Sequence, residues 1–394
     1  MTNKDIIAMG DEAVMPTYGR FQVAFEKGQG ATLYDFDGKA YIDFASGIGV
    51  NSLGYGYQPW VDAVSKQAAT LQHVSNLYYT GPMAQVAKTL TARTGMANVF
   101  FANGGGESNE GMIKLARKYS FDKYGQGRST IVTLRQSFHG RTISTLAATG
   151  QDVFHNYFFP FTEGFKYAVA NDLDSVKTAC TGDVCAVMME LIQGEGGVLP
   201  LDKDFVQSVA AFCAERDLLL LIDEVQTGVG RTGSLFCFQQ YGIRPDVVSF
   251  AKGIAGGLPF GGIMANEKCK SVLGPGTHAT TFGGNPVAAA GACVVLDTLD
   301  DAFLASVNEK GAYIRRKVEE MRLPVVQSVR GMGLMVGIGV TCSHKDAVGK
   351  MLQSGLLALT AGSDTVRLLP PLNISYEEID AGLAVLKTVL EGMT

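Results

Sequence analysis

Five short runs of mainly apolar residues recur through the middle of this chain, and they constrain its fold more than any other feature. Each run is about as long as a strand, and its apolar residues do not alternate with polar ones. Strands buried on both faces have this pattern, which is typical of parallel sheets covered by helices. Because helical patterns separate the runs, we predict an α/β fold with a mostly parallel central sheet flanked by helices. The runs are residues 99–102, 131–134, 186–190, 218–222 and 246–250.

The two ends of the chain predict a second, smaller unit. Asp37-Gly38 separates two strand-like runs within residues 20–46, and Asp-Gly in such a place is a strong signal of a β-hairpin. The C-terminal part combines helical patterns with a glycine-rich strand pair at residues 331–340. A chain of 394 residues is long for one domain. We therefore expect a large domain at residues 50–290 and a small α+β domain formed by residues 1–49 and 291–394.

Composition and charge exclude several classes of partner. The net charge is −5 and no block of basic residues is present, so a nucleic-acid partner is not expected. No apolar run approaches the length of a membrane span, and the first residues lack a secretory signal pattern. The seven cysteines are odd in number and scattered, which fits reduced thiols better than disulfides or a zinc site. We expect a cytoplasmic protein with no metal, nucleic-acid or membrane partner.

A carboxylate and an amine follow two of the predicted strands. Asp223 comes directly after the run that ends at Ile222, and Lys252 follows the run that ends at Phe250. In open α/β sheets, ligands bind beyond the carboxyl ends of the strands. Pyridoxal phosphate suits this pair of groups, because its aldehyde reacts with a lysine and its pyridinium nitrogen takes an acidic partner. Either residue alone would be an ordinary surface charge, so the prediction depends on their joint position.

A glycine-rich turn precedes the helical pattern that begins near Glu107. Gly104, Gly105 and Gly106 let backbone N–H groups approach an anion closely, and a helix N-terminus adds a favourable dipole. The turn therefore predicts a phosphate site, although an ordinary tight turn between a strand and a helix fits the same residues. It is not a P-loop, because no lysine followed by serine or threonine comes after it.

A second glycine pattern, at residues 228–233, matches the dinucleotide fingerprint G-x-G-x-x-G. A nicotinamide-dependent dehydrogenase is therefore an alternative function. The stretch before the next strand is too short for the helix that this fingerprint opens, and Lys252 stands where the ribose-binding carboxylate is expected. A binding module without catalytic activity is a third possibility, which the presence of both Asp223 and Lys252 disfavours.

Five motifs, taken together, resemble the class III aminotransferases, which are pyridoxal-phosphate enzymes of fold type I. The similarity runs from about Tyr18 to Arg367 in the family's order, and it is greatest to the N-acetylornithine aminotransferases. The motifs are Ser-Phe-His-Gly-Arg at 137–141, Ile-Gln-Gly-Glu-Gly-Gly at 192–197, Asp-Glu-Val-Gln-Thr-Gly at 223–228, Ala-Lys-Gly at 251–253 and Thr-Thr-Phe-Gly-Gly-Asn-Pro at 280–286.

The resemblance implies cofactor-binding roles for residues of these motifs. Lys252 is similar to the Schiff-base lysine, which also moves a proton, and Asp223 to the partner of the pyridinium nitrogen. Thr281 resembles a hydroxyl that reaches the phosphate of the neighbouring subunit, which implies a homodimer with shared active sites. The remaining implied cofactor contacts are Phe138 and Val225 on the two faces of the ring, Gln226 at its phenolic oxygen, Gly105 and Gly106 at the phosphate through backbone amides, and Glu224 beside Asp223.

Three charged residues carry the substrate prediction. By resemblance, Arg141 holds the carboxylate distant from the reacting amine, Arg367 holds the α-carboxylate of glutamate, and Glu195 neutralises Arg367 when the other substrate is bound. A guanidinium pairs bidentately with a carboxylate, and an unpaired charge in a closed site is costly. Thr280 and Tyr18 are further implied substrate contacts. The implied reaction is a ping-pong transfer of the δ-amino group of N-acetylornithine to 2-oxoglutarate, which yields glutamate and belongs to arginine synthesis.

Other reactions of the same family stay open as alternatives. They are transamination of ornithine, succinylornithine, succinyl-diaminopimelate or 4-aminobutyrate, and an aminomutase reaction. The chain also departs from many relatives, which carry a hydroxyl or an alanine at the positions of Gly104 and Gly106. We therefore expect backbone amides, Thr281 and Ser108 to hold the phosphate. For His139 we predict a hydrogen-bonded structural role.

Overall fold

The computed structural model describes residues 1–393 of the chain. The helices are α1 Asn3–Ala13, α2 Ser46–Gly49, α3 Gln58–Thr70, α4 Gly81–Thr94, α5 Gly105–Tyr124, α6 Ile143–Ala148, α7 Leu173–Ala179, α8 Lys203–Arg216, α9 Phe238–Tyr241, α10 Pro286–Thr298, α11 Asp301–Glu320, α12 His344–Gln353 and α13 Tyr376–Glu391, with 3-10 turns at Asp152–Phe154 and Lys252–Ala255. The strands are β1 Phe25–Gln29, β2 Thr32–Asp35, β3 Ala40–Asp43, β4 Asn98–Ala102, β5 Thr130–Leu134, β6 Phe165–Ala168, β7 Val184–Glu190, β8 Ile192–Gln193, β9 Leu199–Pro200, β10 Leu219–Asp223, β11 Val247–Phe250, β12 Gly261–Ala265, β13 Val326–Met332, β14 Met335–Val340, β15 Leu356–Leu357, β16 Leu359–Ala361 and β17 Thr365–Leu368.

A seven-stranded sheet forms the centre of residues 1–393, in the order β4-β12-β11-β10-β7-β5-β6. β10 is parallel to both β7 and β11, and β5 is parallel to β7 and β6. β12 runs the other way and pairs antiparallel with β11 and β4. The prediction of a mostly parallel central sheet is therefore confirmed, and each of the five predicted strands lies in it.

Two strands of this sheet have no clear signal in the sequence. β12 begins with Gly261 and Gly262, and glycine weakens strand patterns. β6 lies at the edge of the sheet, where Phe165, Lys166 and Tyr167 are only half-buried. Neither strand therefore shows the continuous apolar run that identifies the interior strands.

Alternate residues of β10 enter two separate cores, one on each face of the sheet. Leu219 and Leu221 pack in the same apolar cluster as Met112 of α5. Leu220 and Ile222 pack in the cluster that contains Val209 of α8. Because successive strand residues point to opposite faces, an unbroken apolar run requires helices on both sides. These layers place the last residue of β10, Asp223, at the edge of a rigid sheet.

Both ends of the chain contribute to the smaller sheets. β1, β2 and β3 form the predicted antiparallel hairpin unit, and β15 from the C-terminal part adds to β3 in parallel. β13, β14, β17 and β16 form a second, antiparallel sheet. The domain limits at 50–290, 1–49 and 291–394 stay a prediction, and Thr394 lies outside the described residues. Among residues 1–393, no helix is long and apolar enough to cross a membrane.

Candidate active site

A cavity of about 450 Å³ lies at the carboxyl ends of the central strands. Asp223 at the end of β10 and Lys252, two residues after β11, both line it. These strands are neighbours and parallel, so their carboxyl ends lie side by side. The two groups predicted to act together therefore share one cavity. The full lining is Gly105, Gly106, Asn109, Phe138, His139, Gly140, Arg141, Thr142, Glu190, Asp223, Val225, Gln226 and Lys252.

The Asp223 carboxylate is fixed by donors on several elements. Asn109 Nδ2 donates to its Oδ2 at 2.7 Å, and His139 Nδ1 lies 2.8 Å from the same oxygen. The backbone N–H of Val225 donates to Oδ1 at 3.0 Å. These contacts reach both carboxylate oxygens, so they fix the orientation of Asp223. The predicted hydrogen bond of His139 is confirmed by this contact, and its structural role stays a prediction.

Lys252 has a strained backbone and an amine with a lowered pKa. Its φ is +46°, which is uncommon for a residue with a side chain and costs about 1–3 kcal/mol. Ser52 secures this turn, because its hydroxyl donates to the Gly253 carbonyl oxygen at 2.8 Å. Burial lowers the pKa of Lys252, although Glu195 and Asp223 oppose the shift. A lysine with a lowered pKa supplies more of the neutral amine that can attack a carbonyl carbon.

The glycine turn places the start of α5 against the cavity. Gly104 is the N-cap of this twenty-residue helix, and no side chain caps its first N–H groups. An added Cβ at Gly105 would meet Val225 at 2.7 Å, so only glycine lets these two segments approach so closely. The expectation that Ser108 contacts the phosphate is wrong. Its buried hydroxyl donates to the carbonyl oxygens of Gly104 and Phe250, because a side chain one turn into α5 points back along the helix.

Glu190 is a second carboxyl group at the cavity, and the sequence reasoning did not identify it. It ends β7 and pairs in register with Asp223. Its oxygens accept hydrogen bonds from the backbone N–H groups of Phe138 at 2.8 Å and Gly194 at 3.2 Å. Burial, opposed by His139, raises the pKa of Glu190 to about 7. Asn109 was also missed, although it lies one helical turn from Gly105 and so on the same face of α5.

Arg367 and Glu195 form an ion pair beside the cavity. Arg367 Nη1 donates to Glu195 Oε1 at 2.7 Å and to Gln226 Oε1 at 3.0 Å. The Arg367 side chain is 3% exposed and that of Glu195 is 30% exposed. Burial opposes the charge of Glu195, but Arg367 and Lys252 outweigh it and lower the pKa of Glu195. Gln226, which lines the cavity, connects this pair to the Asp223 region.

Arg141 stands at the mouth of the cavity with its guanidinium against two aromatic rings. Its Cζ lies 5.4 Å from the centre of the Phe138 ring and 4.2 Å from that of Phe154. Such stacking orients the planar group and leaves its N–H donors available. Phe138 and Val225 both line the cavity, as expected for residues that cover the two faces of a flat ligand.

Besides Ser108 and the ion pair of Glu195 and Arg367, four more predicted site residues do not line this cavity. The Glu224 prediction needs correction, because its buried carboxylate accepts hydrogen bonds from Thr227 and from the backbone N–H groups of residues 237 and 238. A residue next to Asp223 points to the opposite side of the strand end, which explains this placement. Thr281 and Tyr18 are exposed, and Thr280 accepts a hydrogen bond from Asn103. The roles of Thr280, Thr281 and Tyr18 stay predictions.

The dinucleotide alternative loses its structural basis. The helix after residues 228–233 is α9, which has four residues. Arg231, inside the pattern, is buried and donates to the carbonyl oxygens of Leu334 and Pro370. The glycines there serve close packing with the C-terminal part, because an added Cβ at Gly230 would meet Leu299 and Leu372 at 3.0 and 3.1 Å. No helix N-terminus is available at this turn to hold a pyrophosphate.

The groups around the cavity fit pyridoxal phosphate. An amine, a carboxylate and an uncapped helix start match the aldehyde, the ring nitrogen and the phosphate of this cofactor. At Gly105 the absence of a Cβ lets the helix start lie directly against Val225, which lines the same cavity. Asn109 Oδ1 and His139 Nε2 are buried and have no hydrogen-bond partner within residues 1–393, so polar capacity is left for a ligand.

Comparisons with known proteins agree with this geometry. The profile of the family "Aminotransferase class-III" matches residues 13–390. The acetylornithine aminotransferase of Haemophilus ducreyi is 49% identical, with 100% of both chains covered. The ornithine aminotransferase of Toxoplasma gondii, whose structure has partial occupancy of PLP at its active site, superposes with a TM-score of 0.94 at 28% identity, covering 100% of this chain and 95% of that one. The N-acetylornithine aminotransferase of Stenotrophomonas maltophilia gives a TM-score of 0.86 at 34% identity, with 98% of each chain covered. The chain is therefore an enzyme of the class III aminotransferase family.

Proposed function

We propose that this enzyme transfers the δ-amino group of N-acetylornithine to 2-oxoglutarate, with pyridoxal 5′-phosphate as cofactor. The observation that carries the proposal is the ion pair of buried Arg367 with half-buried Glu195, beside the cavity that Asp223 and Lys252 share. Full-length similarity to the Haemophilus ducreyi acetylornithine aminotransferase supports the same substrate. The reaction would belong to arginine synthesis, with glutamate as the second product.

Lys252 and Asp223 have the properties that the cofactor requires of its protein partners. The neutral form of Lys252 would hold the cofactor by condensing with its aldehyde, with loss of water, and Nζ, once displaced by the substrate amine, would carry a proton to and from the substrate carbon. The Asp223 carboxylate, whose orientation Asn109 and His139 fix, would keep a positive charge on the ring nitrogen. When bound, the cofactor stabilises the electron pair that deprotonation leaves on the substrate carbon. The amides of Gly105 and Gly106 would hold the phosphate, and Phe138, Val225 and Gln226, which line the cavity, would contact the ring.

The substrate residues explain how one site accepts two different amino donors. Glutamate has two carboxylates, whereas N-acetylornithine presents one when it reacts at its δ-amine. Arg141 binds the distant carboxylate of either donor, and Arg367 binds the α-carboxylate of glutamate. For N-acetylornithine, Glu195 stays paired with Arg367, because an uncompensated buried charge would cost several kcal/mol. The 30% exposure of Glu195, against 3% for Arg367, supports a mobile carboxylate and a fixed arginine.

The site is completed by a second subunit in this proposal. Thr281 and Thr280 lie outside the cavity of their own chain, as residues that serve a neighbouring active site would, and Tyr18 contacts substrate. Large apolar side chains near them are exposed, namely Leu77 at 85%, Tyr79 at 97% and Phe282 at 58%. Such a patch suits the interface of a homodimer. Free thiols at all seven cysteines of the described residues suit a cytoplasmic location.

Amino-donor profiling tests the proposal. We expect kcat/KM for N-acetylornithine with 2-oxoglutarate to exceed the values for succinylornithine, ornithine, succinyl-diaminopimelate and 4-aminobutyrate. A higher value for any of these donors would assign the enzyme to that substrate, and turnover without 2-oxoglutarate would indicate an aminomutase. The Lys252→Ala variant should lose the visible absorbance of bound cofactor and its activity. Normal turnover by this variant would refute the role of Lys252.

A further inference from the structure

Arg330 and Arg367 lie in one row across the C-terminal antiparallel sheet. Arg330 of β13 pairs with Gly337 of β14, and Gly337 pairs with Arg367 of β17. Directly opposite residues of neighbouring strands point to the same face of a sheet. The two arginines therefore stand on one face, two strand spacings or about 10 Å apart, with a glycine between them.

The loop that carries Glu195 lies on this face of the sheet. An added Cβ at Gly337 would meet the Val198 Cβ at 2.7 Å, so the loop contacts the strand where no side chain intervenes. The backbone N–H of Gly362 donates to the Glu195 carbonyl oxygen at 2.8 Å. Gly197 has a φ of +128°, which is a conformation that favours glycine. The loop thus has a defined position against the sheet.

Arg330 connects the loop with the strand that carries Arg367. Its Nε donates to the Gly197 carbonyl oxygen at 2.9 Å, two residues after Glu195. Its Nη2 donates to Thr365 Oγ1 at 2.6 Å, two residues before Arg367. One planar guanidinium therefore bridges the backbone of the Glu195 loop and the Thr365 side chain on the strand of Arg367, and the fork of donors gives the contact a set geometry.

We propose that Arg330 is a positioning residue for substrate selection, because it holds the Glu195 loop where the Glu195 carboxylate meets Arg367. It does not line the cavity, so it acts through the ion pair and not on the substrate. With the backbone held, exchange between the two donors requires movement of the Glu195 side chain alone. The inference rests on the proposed function, because it assumes that the ion pair distinguishes the two amino donors.

The test compares Arg330→Met with the wild-type holoenzyme. Loss of the guanidinium frees the loop, so Glu195 leaves Arg367 more often and glutamate meets less competition. We expect the ratio of kcat/KM for N-acetylornithine to that for glutamate to fall by about tenfold, as for loss of one charge-assisted hydrogen bond. Arg330→Lys retains one cationic donor and should restore part of the ratio. Equal losses for both donors would overturn the proposal, because a merely structural role lowers both.

A double variant separates this inference from the proposed function. If Arg330 acts through Glu195, the ratio for Arg330→Met combined with Glu195→Gln should equal that for Glu195→Gln alone, whereas additive changes would refute the coupling. A Glu195→Gln variant with an unchanged ratio would remove the proposed selection by the ion pair, and this inference with it. If Glu195→Gln changes the ratio and Arg330→Met does not, the proposed function stands and only the role of Arg330 is refuted.

Two further variants guard against misfolding and indirect effects. Arg315 is a matched control, because it is half-buried in the same part of the chain and donates to one backbone carbonyl oxygen, that of Gly333, at 3.2 Å. Arg315→Met should leave the ratio unchanged, and a shift equal to that of Arg330→Met would overturn the proposal. Gly337→Ala displaces the loop at Val198 while the Arg330 guanidinium is retained, and we expect it to lower the ratio as well. The thermal midpoint and the visible absorbance of bound cofactor report whether each variant is folded.

Discussion

Replacing Glu195 by glutamine should change the two half-reactions in opposite directions. Glutamine keeps the size of the side chain and an oxygen that can accept from Arg367, so the change removes mainly the negative charge. Arg367 would then keep Gln226 Oε1 at 3.0 Å as its polar neighbour in a site where it is 3% exposed. Glutamate would gain, because its α-carboxylate no longer displaces a charged competitor, whereas N-acetylornithine would leave Arg367 without a counter-ion.

The size of the effect follows from the geometry of the pair. A charge-assisted hydrogen bond contributes about 1.5–3 kcal/mol, and loss of one partner from a fully buried pair costs about 3–5 kcal/mol. Because the Glu195 side chain is 30% exposed, the lower end of this scale applies, and we take about 1.5 kcal/mol. That free energy corresponds to about a tenfold change for each donor, or about a hundredfold change in their ratio.

Steady-state kinetics of each half-reaction would measure this effect. We expect KM for glutamate to fall and KM for N-acetylornithine to rise, with kcat less affected because no reacting atom is touched. Because the pKa of Glu195 is lowered, its carboxylate stays ionised down to a pH below its usual range, so its charge should not make the ratio vary with pH in neutral buffers. Glu195→Asp, which retains the charge, is the matched control. Parallel changes for both donors, or none, would refute the reasoning.

Three other changes have measurable consequences. Gly105→Ala should weaken cofactor binding about tenfold, because the added Cβ would displace Val225, which it would meet at 2.7 Å. Gly106→Ala should preserve cofactor binding, because its Cβ would meet its nearest neighbour, Thr142, at 3.4 Å. Fluorescence titration with the cofactor would measure both affinities. Burial raises the pKa of Glu224 from 4.5 to about 7, so the folded state binds the proton of this carboxyl more tightly than the unfolded state does. The free energy of unfolding should therefore fall as pH rises through this window, by at most about 1.4 kcal/mol per pH unit. Glu224→Gln should flatten the pH dependence of the thermal midpoint. Asn109→Leu removes a donor 2.7 Å from Asp223, so it should lower kcat and lower the free energy of unfolding by about 2 kcal/mol. Unchanged values of both would contradict the role of Asn109 in orienting Asp223.

The sheet and the pairing of Asp223 with Lys252 could be predicted because both depend on short-range patterns. Continuous apolar runs identify interior strands, and polar residues that end such runs collect at one edge of a parallel sheet. The same rule contained a signal for Glu190, which ends β7 in register with Asp223. The direction of β12 could not be predicted, because nothing local in a five-residue strand specifies which neighbour it pairs with.

The errors have equally local causes. Glu224 and Ser108 belong to motifs that reach the site, but their side chains point away from it, and a motif does not specify side-chain direction. Strand alternation after Asp223 would have excluded Glu224. The position of the Glu195 loop depends on contacts with Gly337 and Arg330, which are far from Glu195 along the chain. These contacts exist only in the assembled C-terminal sheet, so the sequence does not predict them.

The parallel pairing of β3 with β15 has a consequence for synthesis on the ribosome. The segments that carry these two strands come together late in synthesis, because they are far apart in the sequence. Lys39 Nζ, for example, donates to the Gln353 carbonyl oxygen, 314 positions further along the chain. The central sheet is complete once residue 265 has emerged from the exit tunnel, whereas the hairpin of β1 to β3 must wait for nearly the whole polypeptide. We expect nascent chains that are stalled before β15 to hold a protease-resistant centre and an N-terminal segment that is still cleaved.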